Sequence, residues 1–304
     1  MNLEHLPLFV RVANTLNISQ AGKELGLSSA VASTYLNKLE KSLGVKLLYR
    51  TTRHISLTEA GRVFLPHAEA VLATVEAAEA AIGTGSSHPK GTLRITASAS
   101  FGRQHLIPAI SAFLTRFADI QIDINLSDTI VDLVEGGFDV AIRSAPLKDS
   151  NLIARRLAKD RRIVCASPDY LAAHGVPTKP RELLNHHCVN FKDRDTWCFK
   201  TDNGVESIKT ITKIRTDNGE SMRDASVAGM GLSVNSVWNA YKHLQSGELV
   251  EVLKDFPLDL DVAIWAVYPS SRLVPPKLRV FLDFLSEWFG DTPYWEQELM
   301  QFHQ

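Results

Sequence analysis

Side chains able to carry covalent or metal chemistry are few in this sequence and poorly spaced for it. His186-His187-Cys188 puts three potential ligands in a row, but neighbours in an extended segment point to opposite faces. With no second ligand pair at a recognisable spacing, no metal site is expected. Cys188 and Cys198 lie ten residues apart with Lys192 and Arg194 between them. Two readings stay open for them, buried small hydrophobes or a redox pair. The GxSxG elbow, HExxH, P-loop and GxGxxG patterns are all missing from the sequence, and with them the usual frames for a nucleophile, a catalytic zinc or a nucleotide phosphate. Gly229-Met230-Gly231 follows a helical stretch and is expected to stop it. Neither an enzyme nor a bound cofactor is expected.

The segment from Ser28 to Leu43 carries a different chemistry. Ala32, Leu36, Leu39 and Leu43 share one helical face. Opposite them lie Ala30, Thr34, Asn37, Lys38 and Lys41, with Ser29 and Ser33 near the N-terminal end. Short polar side chains admit close approach to base edges, and lysines further along meet phosphates. Free N–H groups at the helix start suit a phosphate as well. Arg50 and Arg53 flank two threonines at the tip of a short hairpin, a fit for a narrow and electronegative minor groove. The competing reading is an ordinary three-helix domain with a solvated face. The hairpin and the local charge together favour double-stranded DNA.

Several elements must position these residues. Leu3, Leu6, Phe9, Val10 and Ala13 recur at helical spacing, predicting a helix that ends near Asn14 to Asn17. Ser19 is expected to cap a second helix that Gly26 ends, and Ser28 a third that Gly44 stops. Val45 to Arg50 and His54 to Leu57 form the hairpin. Helix, helix, tight turn, helix and hairpin make a winged helix-turn-helix. Thr58 caps a fourth helix through Ile82, punctuated at Pro66, whose narrow stripe of Leu72, Val75, Ala78 and Ile82 suits packing against a copy of itself. Residues 83–91 are short, polar and rich in Gly, Ser and Pro, the best hinge in the chain. Beyond them α/β alternation with largely parallel strands is expected. Strands fall at Leu93 to Ala97, Ile120 to Leu126, Phe138 to Ile142, Arg162 to Ala166, Gly231 to Val234 and Val262 to Val267. Helices fall at about Arg103 to Phe117 and at Ile130 to Glu135.

Composition agrees with this plan. The 304 residues are 45% hydrophobic and 22% charged, enough for two domains with real cores and too apolar for wholesale disorder. The net charge of −1 hides an asymmetry. Residues 1–66 hold eight Lys and Arg against four Glu, while the rest hold 25 basic and 30 acidic residues. A basic front on an acidic body points to a polyanionic partner. No membrane span is expected, since the longest candidate, Val71 to Ile82, carries Glu76 and Glu79. The N-terminus lacks a basic cluster followed by an apolar stretch, so no secretory signal is expected. Three unpaired cysteines suit the cytoplasm.

The run Leu25-Gly26-Leu27-Ser28-Ser29-Ala30-Val31-Ala32-Ser33, continued by Leu39-Glu40-Lys41-Ser42-Leu43-Gly44-Val45-Lys46-Leu47-Leu48, Arg50-Thr51-Thr52-Arg53 and Leu57-Thr58-Glu59-Ala60-Gly61, resembles the LysR-type transcriptional regulators. So do residues 132–143, Val164 to Leu171 and Ala266 to Ser270. The last two are similar to landmarks of the subgroup with the Arg-Thr-Thr-Arg wing. The resemblance implies a winged helix-turn-helix, a linker helix that dimerises, and a two-lobed α/β effector domain similar to periplasmic binding proteins. It also implies homodimers paired into homotetramers on promoter DNA, with bending that changes when a small molecule binds. The expected boundaries are 1–58 for the DNA-binding domain, 59–82 for the linker helix, 83–91 for the hinge and 92–304 for the effector domain. Within the last, lobe I takes about 92–160 and 268–290, and lobe II about 161–267.

Carried over by motif, Ser29, Ala30, Ser33 and Thr34 occupy the base-reading stretch, with Asn37 and Lys38 beyond it. Arg50 and Arg53 are the wing arginines. Family members often carry Gln at the position of Ser29, Pro or Ser at Ala30, and Arg at Thr34. Loss of a long bidentate donor removes a contact worth ~1–3 kcal/mol of discrimination, so either the operator differs or shape readout carries more. The effector, expected to be a small anion such as an organic acid, is placed between the lobes. Its expected contacts are Ser98, Ser100 and Phe101 after the first strand and Ser127, Asp128 and Thr129 after the second. Asn218 opens a helix on the other lobe, and Thr196 and Trp197 wall the cleft. Ser127, Asp128 and Asn218 serve equally well as helix caps. Two modes of control compete, effector entry and oligomerisation alone, and the first is preferred. The alternatives from other classes are a solute-binding protein and a redox-sensing regulator acting through Cys188 and Cys198.

Overall fold

Leu6, Leu8, Phe9 and Val12 turn one side of helix α1 (Leu6–Thr15) inward and are fully buried. The computed structural model describes residues 2–50, 55–81, 89–129, 131–133, 136–146, 152–270 and 274–302. They divide into two compact units, Met1–Pro89 with Ser271–Arg279, and Lys90–Ser270 with Val280–Gln304. Helix α2 (Ile18–Glu24) is capped by Asn17, whose Oδ1 accepts from the Gln20 N–H at 3.0 Å. Ser19, the expected cap, sits inside the first turn, because Asn17 already holds the extended conformation a cap requires. Ser28 caps α3 (Ser29–Leu43), and Gly44 ends it in the left-handed region at φ 73°. Strands β1 (Leu48–Arg50) and β2 (Ile55–Leu57) pair antiparallel, with Leu48 opposite Leu57 and Arg50 opposite Ile55. The wing tip, including Arg53, lies outside the described residues. Helix α4 (Glu59–Ala81) runs through Pro66. The Thr58 hydroxyl accepts from the Gly61 N–H at 2.9 Å and donates to the Lys46 carbonyl at 2.6 Å, tying the helix start to the wing.

The second unit begins with β3 (Gly91–Ala97), followed by α5 (Ala99–Phe101), a π-helical stretch Gly102–Leu106, and α6 (Ile107–Arg116). The helical segment therefore starts earlier than the expected Arg103. The cap that starts it is distant in sequence, the Asp128 carboxylate accepting from the Ala99 N–H at 3.1 Å. Strands β4 (Ile120–Leu126), β5 (Val140–Ala145) and β6 (Leu152–Lys159) follow. Residues 131–133 are not helical, and the other half of the expected Ile130 to Glu135 helix lies outside the described residues. The chain then builds β7 (Arg162–Ala166), α7 (Pro168–His174), β8 (His187–Phe191), β9 (Thr196–Thr201), β10 (Gly204–Lys209) and β11 (Ile211–Thr216). Next come α8 (Gly219–Val227), β12 (Leu232–Ser236), α9 (Val237–Gln245) and β13 (Val250–Val252), and then β14 (Ala263–Pro269), α10 (Pro276–Phe289) and α11 (Tyr294–Phe302). Gly229, in the left-handed region at φ 75°, follows α8 as its stop.

Two five-stranded sheets result, ordered β4-β3-β5-β14-β6 in lobe I and β11-β8-β12-β7-β13 in lobe II. Each mixes parallel and antiparallel pairings, so the expectation of largely parallel strands is corrected. The antiparallel partners, β14 in lobe I and β7 in lobe II, directly follow the two crossings between lobes. The second crossing also falls earlier than expected. β14 pairs with β5 and β6 from Ala263 onward, so residues 263–267 belong to lobe I and not to lobe II. Strands β9 and β10 form a separate hairpin, and Trp197 and Phe199 from it enter the buried core of lobe II with Tyr170, Leu183, Cys188 and Leu232.

Gly61 marks the tightest junction of the first unit, since a Cβ there would stand 2.0 Å from the Leu47 carbonyl oxygen. Backbone cannot yield as a side chain tip can. Gly61→Ala is expected to cost the first unit about 1–3 kcal/mol, read as a lowered first thermal transition with the second unchanged. An unshifted transition would show that α4 and β1 do not meet this closely.

Candidate nucleic-acid interface and effector cleft

Helix α3 buries Ala32, Leu36 and Leu39 and leaves Ser29, Ala30, Thr34, Asn37, Lys38 and Lys41 exposed, with Ser33 half-buried beside them. The face so presented is polar and cationic, without a long apolar side chain. Ser29 shares a hydrogen bond with Ser19 of α2 at 2.8 Å, and Thr34 donates back to the Ala30 carbonyl at 2.9 Å. These local bonds hold the hydroxyls in set directions.

Arg50 is less free than its position on the wing implies. Its guanidinium donates to Asn37 Oδ1 at 3.0 Å and lies 3.3 Å from the Glu40 carboxylate. Glu40 is buried, and it also receives Lys46 at 2.8 Å and the amides of Leu47 and Leu48 at 3.0 and 3.2 Å. Burial alone would raise its pKa, but the hydrogen bonds from Lys46, Leu47 and Leu48 and the Arg50 charge prevail and hold it below the ordinary carboxylate value. Arg50 and Asn37 thus brace α3 against the wing.

In the second unit a cleft of about 100 Å³ opens between the lobes. Of the expected contacts, Ser98, Ser100 and Asp128 line it. Phe101 does not. It is buried in an aromatic cluster with His105, Trp238 and Trp295. Thr196 and Trp197 stand away from the cleft wall as well, the first exposed on β9, the second in the lobe II core donating to Asn190 at 3.0 Å. Ser127 and Thr129 close a turn through the Thr129 N–H to Ser127 Oγ, 3.2 Å. Asn218 caps α8 and donates to Asp128 at 2.9 Å. The helix starts expected to hold an anion are accordingly filled by the protein itself. Asp128 takes the Ala99 N–H, and Ser100 Oγ accepts from the Glu220 N–H at 3.1 Å.

The residues missed from the sequence are Ser144, Arg162, Phe191, Arg194, Gly219, Met222, Asn235, Ser236, Trp238 and Asn239, all on the cleft wall. Arg162 is held by Asp160 at 3.0 Å and by Ser144 at 2.8 Å, while Ser144 and Ser236 also donate to Asp160. Asn239 links the lobes, accepting from Gln104 at 3.0 Å and donating to the Gly219 carbonyl at 2.9 Å. Behind Trp238, His105 donates from Nε2 to the Trp238 carbonyl at 3.0 Å, which leaves Nδ1 to accept from the Tyr294 hydroxyl at 2.6 Å. Burial lowers the His105 pKa to about 4, so the ring is neutral around pH 7.

Cys165, Cys188 and Cys198 are all free. Burial pushes the thiols of Cys165 and Cys188 up to about 12, far from the thiolate a redox sensor needs. Among the described residues no group of His, Cys, Asp or Glu gathers to hold a metal, and no helix is long and apolar enough to cross a membrane.

A helix-turn-helix with a strand hairpin, joined in one chain to a two-lobed α/β unit, defines a DNA-binding transcriptional regulator and not an enzyme. Residues 3–62 match the family model of the bacterial regulatory helix-turn-helix protein, lysR family, and residues 86–290 match the LysR substrate binding domain. The chain belongs to the LysR family of transcriptional regulators. It is 33% identical to the regulator DmlR of Escherichia coli over 95% of both chains. The solved structure of CrgA from Neisseria meningitidis is 33% identical over 94% of this chain and 98% of that one, with a TM-score of 0.60. The full-length virulence activator AphB of Vibrio cholerae is 27% identical over 94% of this chain and 98% of that one, with a TM-score of 0.58.

The low pKa of Glu40 makes a prediction with a defined sign. A carboxylate stabilised in the folded state contributes above its unfolded value of 4.5 and loses that contribution as pH falls through the lower folded value. Glu40→Gln is expected to speed hydrogen exchange at the Leu47 and Leu48 amides at pH 7, relative to parent at the same pH. The gap should close as pH falls below 4.5 and through the lower folded value. A gap of constant size across that range would show that the Glu40 charge does not hold the wing.

Proposed function

We propose that the regulator reads promoter DNA with α3 in the major groove, Ser29, Ala30, Ser33 and Thr34 facing base edges, and Asn37 and Lys38 toward the backbone. Arg50 and Arg53 place the wing in the adjacent minor groove. The observation that carries this reading is the exposed polar face of α3 set against the buried Ala32, Leu36 and Leu39. Dimerisation through α4 and pairing of dimers into tetramers supply the two half-sites, and the basic balance of residues 1–66 supplies phosphate attraction. A small anionic effector enters the inter-lobe cleft at Ser98, Ser100 and Asp128 and acts by binding one assembly more tightly than the other. The protein works in the cytoplasm. The domain limits 1–58, 59–82 and 83–91 fit this division of labour, with 92–304 as the effector domain.

The test is fluorescence anisotropy on the DNA upstream of its own gene and on a scrambled duplex across a salt series. Selective binding that weakens with salt is expected. Lys38→Ala should weaken both duplexes and reduce the salt slope by about 1, whereas Thr34→Ala should change preference among operator variants with the slope intact. Equal slopes for Lys38→Ala and parent would remove Lys38 from the phosphate contacts, and no binding at low salt would overturn the docking.

A further inference from the structure

The exposed side of α3 holds a branched apolar side chain that the packing of the fold does not use. Ala32, Leu36 and Leu39 belong to the buried core of the first unit, and Tyr35 and Leu43 pack against it. Val31 does neither and is 39% exposed. A β-branched residue is a poorer helix former than alanine, and its methyls are better buried than wet. Neither local propensity nor packing therefore accounts for a valine here. Ala30, one residue earlier, is exposed as well.

Thr34 extends the patch. Residues three and four apart on a helix are surface neighbours, so Thr34 adjoins both Val31 and Ala30. Its hydroxyl donates to the Ala30 carbonyl at 2.9 Å, which leaves the Cγ2 methyl as its free end. Ser29 at the edge is engaged with Ser19 of α2, and Asn37 Oδ1 on the next turn accepts from Arg50. Lys38 and Lys41 come later, toward the C-terminal end of the helix. The side chains of Ala30, Val31 and Thr34 thus have no proton left for the acceptors on a guanine or adenine edge, and they present methyl groups instead.

In the major groove thymine alone of the four bases carries a methyl group, at C5. Resting on the α3 docking proposed above, we infer that Val31 is a specificity-determining residue. With the Thr34 methyl beside it, it selects thymine by apolar contact with the C5 methyl. Exclusion of water from that contact takes the place of a hydrogen bond to the base. The contact depends on the methyl and not on the base that bears it. A 5-methylcytosine places the same group at the same position of a G·C pair and satisfies it in part.

The full-length protein first selects its preferred duplex from a random-sequence pool. Each thymine of that site is then replaced by deoxyuridine, which removes the methyl and leaves every hydrogen-bonding group in place. At one or two positions the swap is expected to weaken parent binding about fourfold in anisotropy at fixed salt, as the loss of one buried methyl requires. Val31→Ala should bind the thymine duplex more weakly by a similar factor, and the same swap should then cost it less than twofold. Cytosine at that position should weaken the parent further, and 5-methylcytosine should recover about fourfold of the loss. Val31 is exposed and outside the core, so Val31→Ala is expected to melt as the parent does. An equal cost of the swap in parent and Val31→Ala would give the methyl to another side chain and overturn the role of Val31. No cost at any thymine, or a selected site without one, would overturn methyl readout while leaving α3 in the groove. If the pool yields no preferred sequence, the inference and the α3 docking fall together.

Discussion

The regulatory unit depends on one buried carboxylate placed where the chain passes from one lobe to the other. Asp160 ends the run of lobe I strands, and its side chain accepts from Ser144 on β5, from Arg162 on β7 and from Ser236 at the end of β12. Donors from both lobes therefore converge on a single oxygen. An unpaired charge at such depth would cost several kcal/mol, so the lobes cannot slide at this point without losing its compensation. The cleft wall inherits that rigidity, since Ser144, Arg162 and Ser236 are at once partners of Asp160 and part of the wall.

The DNA-binding unit solves a similar problem with similar means. Glu40 is buried on α3, and its four donors come from the wing or the approach to it. A two-stranded hairpin of three residues a side is too small to be stable alone. The carboxylate lends it an attachment to α3, and Thr58 lends another to α4. Arg50 stands at the junction, where the same guanidinium that a groove would attract already steadies the wing. Exposure of α3 and stiffness of the wing thus follow from one internal ion cluster.

The elements with a local cause were legible in the sequence. The apolar stripe of α3, its Ser28 cap and its Gly44 stop are decided within a few residues, and so is the alternation of β4. Features with a distant cause were not. The start of the helical segment at Ala99 depends on Asp128, and the placement of β14 depends on two strands more than a hundred residues away. In the cleft, Ser98, Ser100 and Asp128 could be read because strand ends and helix starts announce themselves. Arg162, Arg194 and Trp238 could not, since an arginine opening a strand or a tryptophan within a helix carries no local sign of what it faces. The expected role of helix starts as anion holders failed for a related reason. Ser and Asp near such a start complete it for themselves before any ligand does.

With those starts filled, contacts across the cleft become the route by which a ligand can matter. Ser100 meets Glu220, Asp128 meets Asn218, and Gln104 meets Asn239 and Glu220, each pair joining lobe I to lobe II. Trp238 lies on the wall, its ring packs against Phe101 and His105, and its carbonyl accepts from His105. His105 in turn is held by Tyr294 of α11. Such pairs are satisfied by the lobes themselves, so closure needs no ligand and a ligand adds little by merely sitting in the gap. Its leverage lies at Lys192 and Arg194, cations on the Phe191 ring with no ion-pair partner among the described residues, where binding supplies an interaction that the empty cleft lacks. Only that difference can shift a population between two arrangements. A satisfied frame around a few unpaired charges is therefore well suited to a sensor, because it confines the ligand's free energy to the groups that distinguish bound from empty.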